Sequence, residues 1–334
     1  MPLWKPNDFS GLTLWLTAKD IEIIIARGGT ITRWKNRAAD TPDYGKTSPM
    51  DMVSLGDRPT SGNGKPTGGN SSQPDVIFQG TGNGGFQPED TDDDGTADEG
   101  TGDTGGPADF GTNAFYFGML CTSGTSNAVE VAFAHDTIQS AFECRHNGSN
   151  YVFDLGTTGT AGVGRFHVGK SNQAIPVSDG DTDFVSVEKR SNFSGTGTVA
   201  AHEVNGGPDT STDSPPNTSF SENLNDAGVI QIGRRNNASD KKEWSGSIRE
   251  IIIYQAETDS SKKDVISGYV LHRFGLDSKL VNGHGGSTHT YKYGPPTTCN
   301  AVSEGNLSTS MLTSVPVDQY ELSEELNTFC ETRK

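Results

Sequence analysis

The sequence predicts an all-β fold: an antiparallel jelly-roll β-sandwich with one short helix after its last strand and an extended C-terminal tail. The 334 residues include 42 glycines and 16 prolines, and 31% are hydrophobic. This composition is typical of short strands joined by many turns. Apolar residues alternate with polar ones in short runs that Asn-Gly and Asp-Gly pairs separate, as in antiparallel hairpins. Strands do not alternate with long helices, so a parallel sheet is not expected.

The first strands are predicted close to the N-terminus. Apolar side chains recur with a period of two over residues 12–16, 21–25 and 31–34, which is the period of a pleated strand. Gly28 and Gly29 form a turn signal between the second and third runs.

Two polar, glycine-rich segments follow, at residues 38–75 and 80–113, with a short predicted strand at 76–78 between them. Connections of this length are uncommon in compact domains and often carry function. We therefore expect two long loops with little core.

Nine further strands are predicted from residue 115 onward. They are Phe115–Cys121, Val129–Ala134, Phe142–Arg145, Tyr151–Leu155, Gly164–Gly169, Asp183–Lys189, Thr198–Val204, Val229–Ile232 and Ile248–Tyr254. The turns between them include Asn147-Gly148, Asp179-Gly180 and Asn205-Gly206, which favour two-residue hairpins.

A single helix is predicted directly after the last strand. Asp259 is a suitable N-cap, and Gly275 is a natural residue to end the helix. Apolar residues between them recur at spacings of three and four, at Ile266, Tyr269, Val270 and Phe274. This spacing predicts one apolar helical face that docks on the sandwich.

The composition changes after the helix, which predicts a domain boundary. We assign residues 1–276 to the sandwich and 277–334 to a C-terminal extension that leaves it. The extension could carry a weak terminal helix over 317–328 and serve as an anchoring or inter-subunit tail.

The net charge of the chain limits the classes of partner that it is expected to bind. Lys and Arg total 26 against 43 Asp and Glu, a net charge of −17. Such a surface repels phosphate backbones and anionic lipid, so neither nucleic acid nor membrane is an expected partner. The chain has no 18-residue apolar run, so no membrane-spanning segment is expected. It also has no secretory signal at its N-terminus, which predicts synthesis in a cytoplasm, with either retention there or exit by a route other than secretion.

The four cysteines leave the redox state open. Cys121, Cys144, Cys299 and Cys330 show no metal-binding spacing. They are compatible with four thiols, or with two disulfides in an oxidising medium, where Cys299 with Cys330 would close the tail on itself.

An acidic loop is the sharpest candidate for chemistry. The run from Asp90 to Asp98 places carboxylates at Asp90, Asp92, Asp94 and Asp98, with Gly95 after the third. Alternate carboxylates before a glycine can converge on one calcium ion, although Thr101 stands where an EF-hand has its bidentate glutamate. The alternative is a solvated acidic loop.

Other residue types point away from catalysis. The strand carboxylates Glu130, Glu143 and Glu250 are isolated from one another, and the sequence has neither a nucleophile motif nor a phosphate-binding loop. The four tryptophans, Trp4, Trp15, Trp34 and Trp244, lie beside Leu and Ile and are predicted to pack in the core or at its rim rather than to stack on sugars. The seven histidines are expected at the surface, with His284 and His289 as a weak candidate metal pair.

Three segments resemble the concanavalin A-like superfamily, in its laminin-G-like branch. The first runs from Trp4 through Trp15 to Trp34, the second is the Val204-Asn205-Gly206 turn, and the third runs from Ile232 to Gly275. The third segment is the most specific. The resemblance covers residues 4–276 and implies the jelly-roll sandwich. The paired carboxylates of the family's enzymes are missing, so we expect no enzyme.

Members that begin at Met without a signal resemble bacteriophage virion proteins. The resemblance therefore implies a capsid decoration or cement protein, or a fibre or appendage component, located in the virion. Its expected partners are the major capsid protein or appendage proteins, in a symmetric homo-oligomer, with a host-surface glycan as a further partner. The alternative is a carbohydrate-binding, lectin-like module, with calcium assisting; no other cofactor is required.

The calcium hypothesis predicts a heat of binding when the protein is titrated with millimolar calcium in a calorimeter. Replacing Asp92 and Asp94 by Ala should abolish that heat, because it removes two of the hard oxygen ligands. Absence of heat from the unmodified protein would rule the site out.

Overall fold

A computed structural model shows the fold. It describes residues 3–19, 24–25, 31–38, 51–54, 67–68, 74–80, 84–88, 114–124, 130–136, 142–146, 151–155, 165–168, 180–189, 200–208, 229–235, 242–256, 258–281 and 288–297. None of the helices in this part of the chain is long and apolar enough to cross a membrane.

The described strands number seventeen. In chain order they are β1 (Leu12–Thr17), β2 (Ile24–Ile25), β3 (Ile31–Trp34), β4 (Met52–Ser54), β5 (Thr67–Gly68), β6 (Val76–Gln79), β7 (Phe86–Pro88), β8 (Phe115–Ser123), β9 (Glu130–Asp136), β10 (Phe142–His146), β11 (Tyr151–Leu155), β12 (Arg165–Val168), β13 (Thr182–Lys189), β14 (Ala200–Val204), β15 (Gly207–Pro208), β16 (Val229–Ile232) and β17 (Ser245–Tyr254). The described residues contain one α-helix, α1, which spans Ser260–Arg273. All nine strands predicted after residue 115 are present.

The strands form two antiparallel sheets, which confirms the predicted all-β sandwich with one short helix. The first sheet has the order β15-β14-β13-β8-β17-β6-β5, with β1 also paired to β17. We call it the helix-covered sheet, because α1 packs on its outer face. The second sheet has the order β12-β11-β10-β9-β16-β7-β4-β3-β2.

The main core fills the space between the two sheets. Phe117 of β8 and Phe133 of β9 face each other across it, with ring centroids 5.0 Å apart. On β17, Ile251 and Ile253 enter this core, whereas Ile252 and Tyr254 point to the opposite face. Since successive strand residues alternate in direction, a strand apolar at every position must be covered on both faces.

The second face of the helix-covered sheet is closed by α1 and the N-terminal segment. The Asp259 side chain accepts a hydrogen bond of 2.8 Å from the Lys262 amide, as expected of an N-cap. Gly275 adopts φ 69° just after the helix, in agreement with its predicted role. Val265, Ile266 and Val270 are fully buried against the sheet.

The segments predicted as long loops contribute more structure than their composition indicates. Strands β4, β5 and β7 lie within them, and Met52 and Phe86 are fully buried in the main core. Strands of two or three residues are too short to show an alternation, so the sequence pattern does not reveal them.

The first part of the C-terminal extension packs back on the sandwich. Leu280 and Tyr291 are buried in the core beneath α1, and Val281 donates a backbone hydrogen bond to Asn205. Leu3 forms a β-bridge with Thr297. The domain boundary at 276 stays a prediction, but the described residues beyond it contact the sandwich rather than leave it. Cys299, Cys330 and the predicted helix at 317–328 lie outside the described residues.

A buried charge cluster ties α1 to the helix-covered sheet. The Lys263 ammonium lies 3.0 Å from Glu188 Oε2 on β13 and 3.1 Å from Glu203 Oε1 on β14, and its side chain is 4% exposed. Burial alone would lower the pKa of Lys263, but Glu203 and Glu188 outweigh burial and raise it. The ammonium therefore stays charged and lies between two buried carboxylates, whose negative charge it partly offsets.

Replacing Lys263 by Met should lower the free energy of unfolding by about 3–5 kcal/mol, because it leaves two buried carboxylates without their cation. The measurement is urea unfolding followed by fluorescence. Lys262→Met, one residue earlier and less buried, is the matched control and should change stability by about 0.5 kcal/mol at most. Equal effects of the two variants would contradict the assigned role of the cluster.

Candidate functional site

A cleft of about 850 Å³ opens where the N-terminal segment, the residues after β3 and the last turn of α1 meet. Its volume is within the range of ligand pockets. The residues that line it are Leu3, Trp4, Lys5, Asn7, Trp15, Lys35, Asn36, Arg37, Tyr269, His272, Arg273, Pro295 and Pro296. Five separate stretches of the chain therefore contribute to one concave surface.

Backbone and amide hydrogen bonds fix the walls of the cleft. The Asn36 side chain accepts from the Trp15 amide at 2.9 Å and donates to the Thr13 carbonyl at 3.1 Å. The Arg37 amide donates to the Trp15 carbonyl at 2.9 Å. These bonds hold the segment after β3 beside β1, so that residues 35–37 form one wall.

The opposite wall is tied to the N-terminus. The Trp4 amide donates to the Pro296 carbonyl at 3.2 Å, and the His272 ring hydrogen-bonds to the Tyr291 carbonyl at 2.6 Å. Because the carbonyl can only accept, Nε2 of His272 carries the proton. The end of α1 and the chain around Pro296 are thus held together.

The floor of the cleft is aromatic. Tyr269 of α1 packs edge-on against both indoles, with ring centroids 5.3 Å from Trp4 and 6.5 Å from Trp15. Trp4 is fully buried and Trp15 is 3% exposed. Edge-to-face packing of large rings makes this floor rigid.

The rim is basic. The guanidinium carbon of Arg37 lies 5.4 Å from the Trp15 ring centroid, and that of Arg273 lies 5.6 Å from it. Both distances are those of cation–π contacts. Lys5 and Lys35 are exposed at the same rim. Among the described residues that line the cleft, none is Asp or Glu, in a chain whose net charge is −17.

The end of α1 helps to hold positive charge at this rim. Arg273 occupies the last turn of the helix, and Lys19 donates to its carbonyl. The carbonyl end of a helix carries partial negative charge, which stabilises nearby cations. Burial lowers the pKa of the Lys19 ammonium, and the charge of Arg273 lowers it further, as expected where basic groups crowd together.

A single buried carboxylate lies beneath the rim. Glu250 of β17 accepts from Trp15 Nε1 at 2.8 Å and lies 4.0 Å from Arg273 Nε. Burial raises its pKa to about 7, although Arg273 and the hydrogen bond from Trp15 oppose the rise. Glu250 therefore sets the position of Trp15 and Arg273, and its charge changes near neutral pH.

The tryptophan prediction is confirmed, since Trp4, Trp15, Trp34 and Trp244 are all buried. Two of them nevertheless form the floor of the cleft, which the sequence did not reveal. The basic rim was also missed. Lys5, Lys35 and Arg37 are unremarkable surface residues in the sequence, and only the fold brings them to Arg273.

The other predicted site residues fall elsewhere. Asp90, Asp92, Asp94, Asp98 and His284 lie outside the described residues, so the calcium site stays a prediction. No group of three or more His, Cys, Asp or Glu side chains that could hold a metal occurs in the part of the chain that the structure describes.

Two histidines differ from the surface location predicted for them. His146 is fully buried and His289 is 2% exposed. The His289 ring contacts Ser267 of α1 at 3.1 Å, so it packs against the helix. Both were predicted wrongly because a polar residue type does not show that the fold supplies it with a buried partner.

The isolated strand carboxylates have structural partners. Glu143 receives two hydrogen bonds from the Arg235 guanidinium, at 2.6 and 2.7 Å, and Glu130 accepts from the Ser245 amide at 3.1 Å. Glu250 has the Trp15 indole as its partner, so each of the three strand carboxylates makes a structural contact. Cys121 and Cys144 are buried thiols, and burial raises the pKa of Cys121 to about 12.

Comparison with known proteins yields structural neighbours alone. No family model matches the sequence, and neither does any curated protein. A sialidase from Trypanosoma rangeli is 10% identical with a TM-score of 0.45, and the match covers 76% of this chain and 32% of the sialidase chain. The present chain thus spans about a third of that neighbour's length.

Two further neighbours are binding domains. The binding domain of Paraclostridial Mosquitocidal Protein 1 is 10% identical with a TM-score of 0.46, over 80% of this chain and 53% of that one. The CBM40 domain of the Ruminococcus gnavus IT-sialidase, solved with α2,3 sialyllactose, is 13% identical with a TM-score of 0.35, over 47% of this chain and 83% of that one. At such low similarity these neighbours carry no argument about function. The predicted virion location, partners and homo-oligomer stay predictions.

The pKa of Glu250 predicts a pH dependence of stability. Its folded value of about 7 exceeds the ordinary 4.5, so the folded protein binds the proton more tightly than the unfolded chain does. The contribution of Glu250 to the free energy of unfolding is therefore largest below pH 4.5. It declines as the pH rises to about 7 and stays constant above that pH. The decline should amount to roughly 3 kcal/mol.

Urea unfolding between pH 4.5 and 8 measures this slope, and Glu250→Gln should remove it. Glu243→Gln, at a less buried glutamate, is the control and should keep the slope of the unmodified protein. A Glu250→Gln protein that retains that slope would contradict the assignment.

Proposed function

We propose that this protein is a carbohydrate-binding, lectin-like module that holds its ligand in the cleft beside Trp15. The single observation that carries the proposal is a ligand-sized cleft with a rigid aromatic floor and a rim of hydrogen-bond donors, built from five separate stretches of the chain.

The chemistry of the rim favours a ligand rich in acceptors. Arg37 and Arg273 present guanidinium groups, and Lys5 and Lys35 present ammonium groups, all of which only donate hydrogen bonds. The two guanidiniums also lie over the Trp15 ring, which is 3% exposed. A ligand therefore meets polar donors before it meets the aromatic floor, so a purely apolar molecule is a poor match.

A saccharide fits this arrangement. Its hydroxyl and ring oxygens accept hydrogen bonds, and its C–H faces suit the apolar parts of the wall, such as Pro295, Pro296 and Leu3. A cleft of about 850 Å³ accommodates a few sugar units. Nucleic acid also offers acceptors, but the net charge of −17 repels a long polyanion.

The chemistry of the cleft differs from that of the predicted calcium loop. Its described lining holds basic and amide side chains rather than the carboxylates that calcium needs. Binding at the cleft is therefore independent of calcium, in contrast to the calcium-assisted version of the lectin hypothesis.

The proposal predicts binding to at least one glycan on a printed array, with equal signals in calcium and in chelator. Arg37→Ala should weaken the binding of the array hits by about tenfold or more, measured by calorimetry, because it removes a charged donor from the rim. Arg37 is exposed, so this variant should keep the melting temperature of the unmodified protein.

Arg33→Ala is the matched control. Arg33 lies on β3 and pairs with Asp51 at 3.2 Å, close in sequence but outside the cleft, and its loss should leave glycan affinity unchanged. An array without any hit would overturn the proposal. Loss of binding in chelator, or equal loss in both variants, would place the sugar site elsewhere.

A further inference from the structure

We infer that the glycan is acidic, and that Arg37 and Arg273 neutralise a carboxylate on the sugar at the rim of the cleft. The inference rests on the proposed carbohydrate binding and deepens it, because it assigns the class of sugar and the residues that select it.

The first support is the placement of two guanidiniums over one ring. Arg37 comes from the segment after β3 and Arg273 from the last turn of α1, yet both lie within 5.6 Å of the Trp15 ring centroid. A carboxylate on a bound ligand can accept charge-assisted hydrogen bonds from such groups, whereas a neutral sugar offers only uncharged acceptors, which form weaker hydrogen bonds.

Contacts on both sides position the pair. The Arg37 backbone is held by its amide bond to the Trp15 carbonyl and by Asn7, whose amide nitrogen donates to the Arg37 carbonyl at 3.0 Å. The Arg273 guanidinium donates to the Tyr269 hydroxyl. Side chains placed in this way lose less freedom when a ligand binds, which favours affinity.

The local balance of charge supports an anionic ligand. Among the described residues, the charged groups near the pair include Lys5, Lys19 and Lys35 on the basic side. On the acidic side are Glu250 and Asp8, the latter beside Lys5. Glu250 is fully buried and accepts the Trp15 indole N–H, so it lies beneath the ring and not at the rim. The described lining of the cleft therefore presents basic and not acidic side chains to a ligand.

The overall charge limits how many anionic groups the ligand carries. The net charge of −17 produces a repulsive potential at long range, whereas the rim attracts over about a Debye length, roughly 8–10 Å at physiological salt. A saccharide with one or two acidic groups experiences the attraction with little of the repulsion. A densely charged polymer experiences both.

The shape of guanidinium favours a carboxylate over other anions. Its planar fork matches the two oxygens of a carboxylate, with two parallel hydrogen bonds. A sulfate ester can accept similar bonds, so the experiment has a separate arm for it. The committed class is a sugar acid, such as a uronic or nonulosonic acid at the end of a glycan.

The test uses the full chain and an array printed in matched sets, followed by calorimetry on the binders. Each set holds an acidic oligosaccharide, the same oligosaccharide with its carboxylate reduced to an alcohol, and a sulfated counterpart. We expect the carboxylate form to bind at least about tenfold more tightly than the reduced form, because charge-assisted bonds are lost on reduction.

Three variants test the residues. Arg37→Gln should remove most of the preference for the acid, whereas Arg37→Lys should retain part of it, because Lys keeps the charge but not the fork. Arg33→Gln, outside the cleft, should keep the full preference. Melting temperatures establish that each variant is folded.

The outcomes separate the two proposals. Equal binding of acidic and reduced sugars would overturn the present inference and leave carbohydrate binding intact. Binding of the sulfated member alone would overturn the assignment to a carboxylate. Binding to no sugar at all would overturn the proposed function itself. An acid preference that Arg37→Gln leaves unchanged would overturn the assigned site.

Discussion

The burial of β17 on both of its faces is the constraint on which the rest of the structure depends. This strand pairs with β8 on one side and with β1 and β6 on the other, so it lies in the interior of its sheet. Ile251 and Ile253 need the second sheet as a cover, whereas Ile252 and Tyr254 need α1 and the N-terminal segment. Because both faces of this one strand must be covered, the fold has three layers: the second sheet, the helix-covered sheet, and α1 with the N-terminal segment.

The same constraint creates the cleft. Covering the outer face of the sheet requires α1 and the N-terminal segment to meet over β1, and their edges leave a concave surface around Trp15. Glu250, on the strand that both layers cover, connects core and cleft, because its carboxylate receives the Trp15 indole and lies near Arg273. A group that titrates near neutral pH thus lies directly below the proposed binding surface.

Charge is distributed unevenly in this protein. A net charge of −17 coexists with a basic rim at the end of α1, where the helix terminus stabilises Arg273 and Lys19. Beneath the same helix, Lys263 bridges Glu188 and Glu203. Among the basic residues named here, Lys263 pairs with buried carboxylates, whereas Lys5, Lys35, Arg37 and Arg273 line one cleft, and that cleft is the basis of the proposed binding.

The sequence by itself determined the strands of the sandwich and the capped helix, because each depends on local patterns: a period of two, an Asn-Gly turn, an N-cap at Asp259. It did not determine the short strands β4, β5 and β7, which are too brief to show a period, nor the burial of His146 and His289, which depends on partners distant in the chain. The cleft was decided by the tertiary structure alone. Lys5, Arg37 and Arg273 belong to three separate stretches of sequence, and only the packing of α1 and the N-terminus over β1 brings them to one cleft.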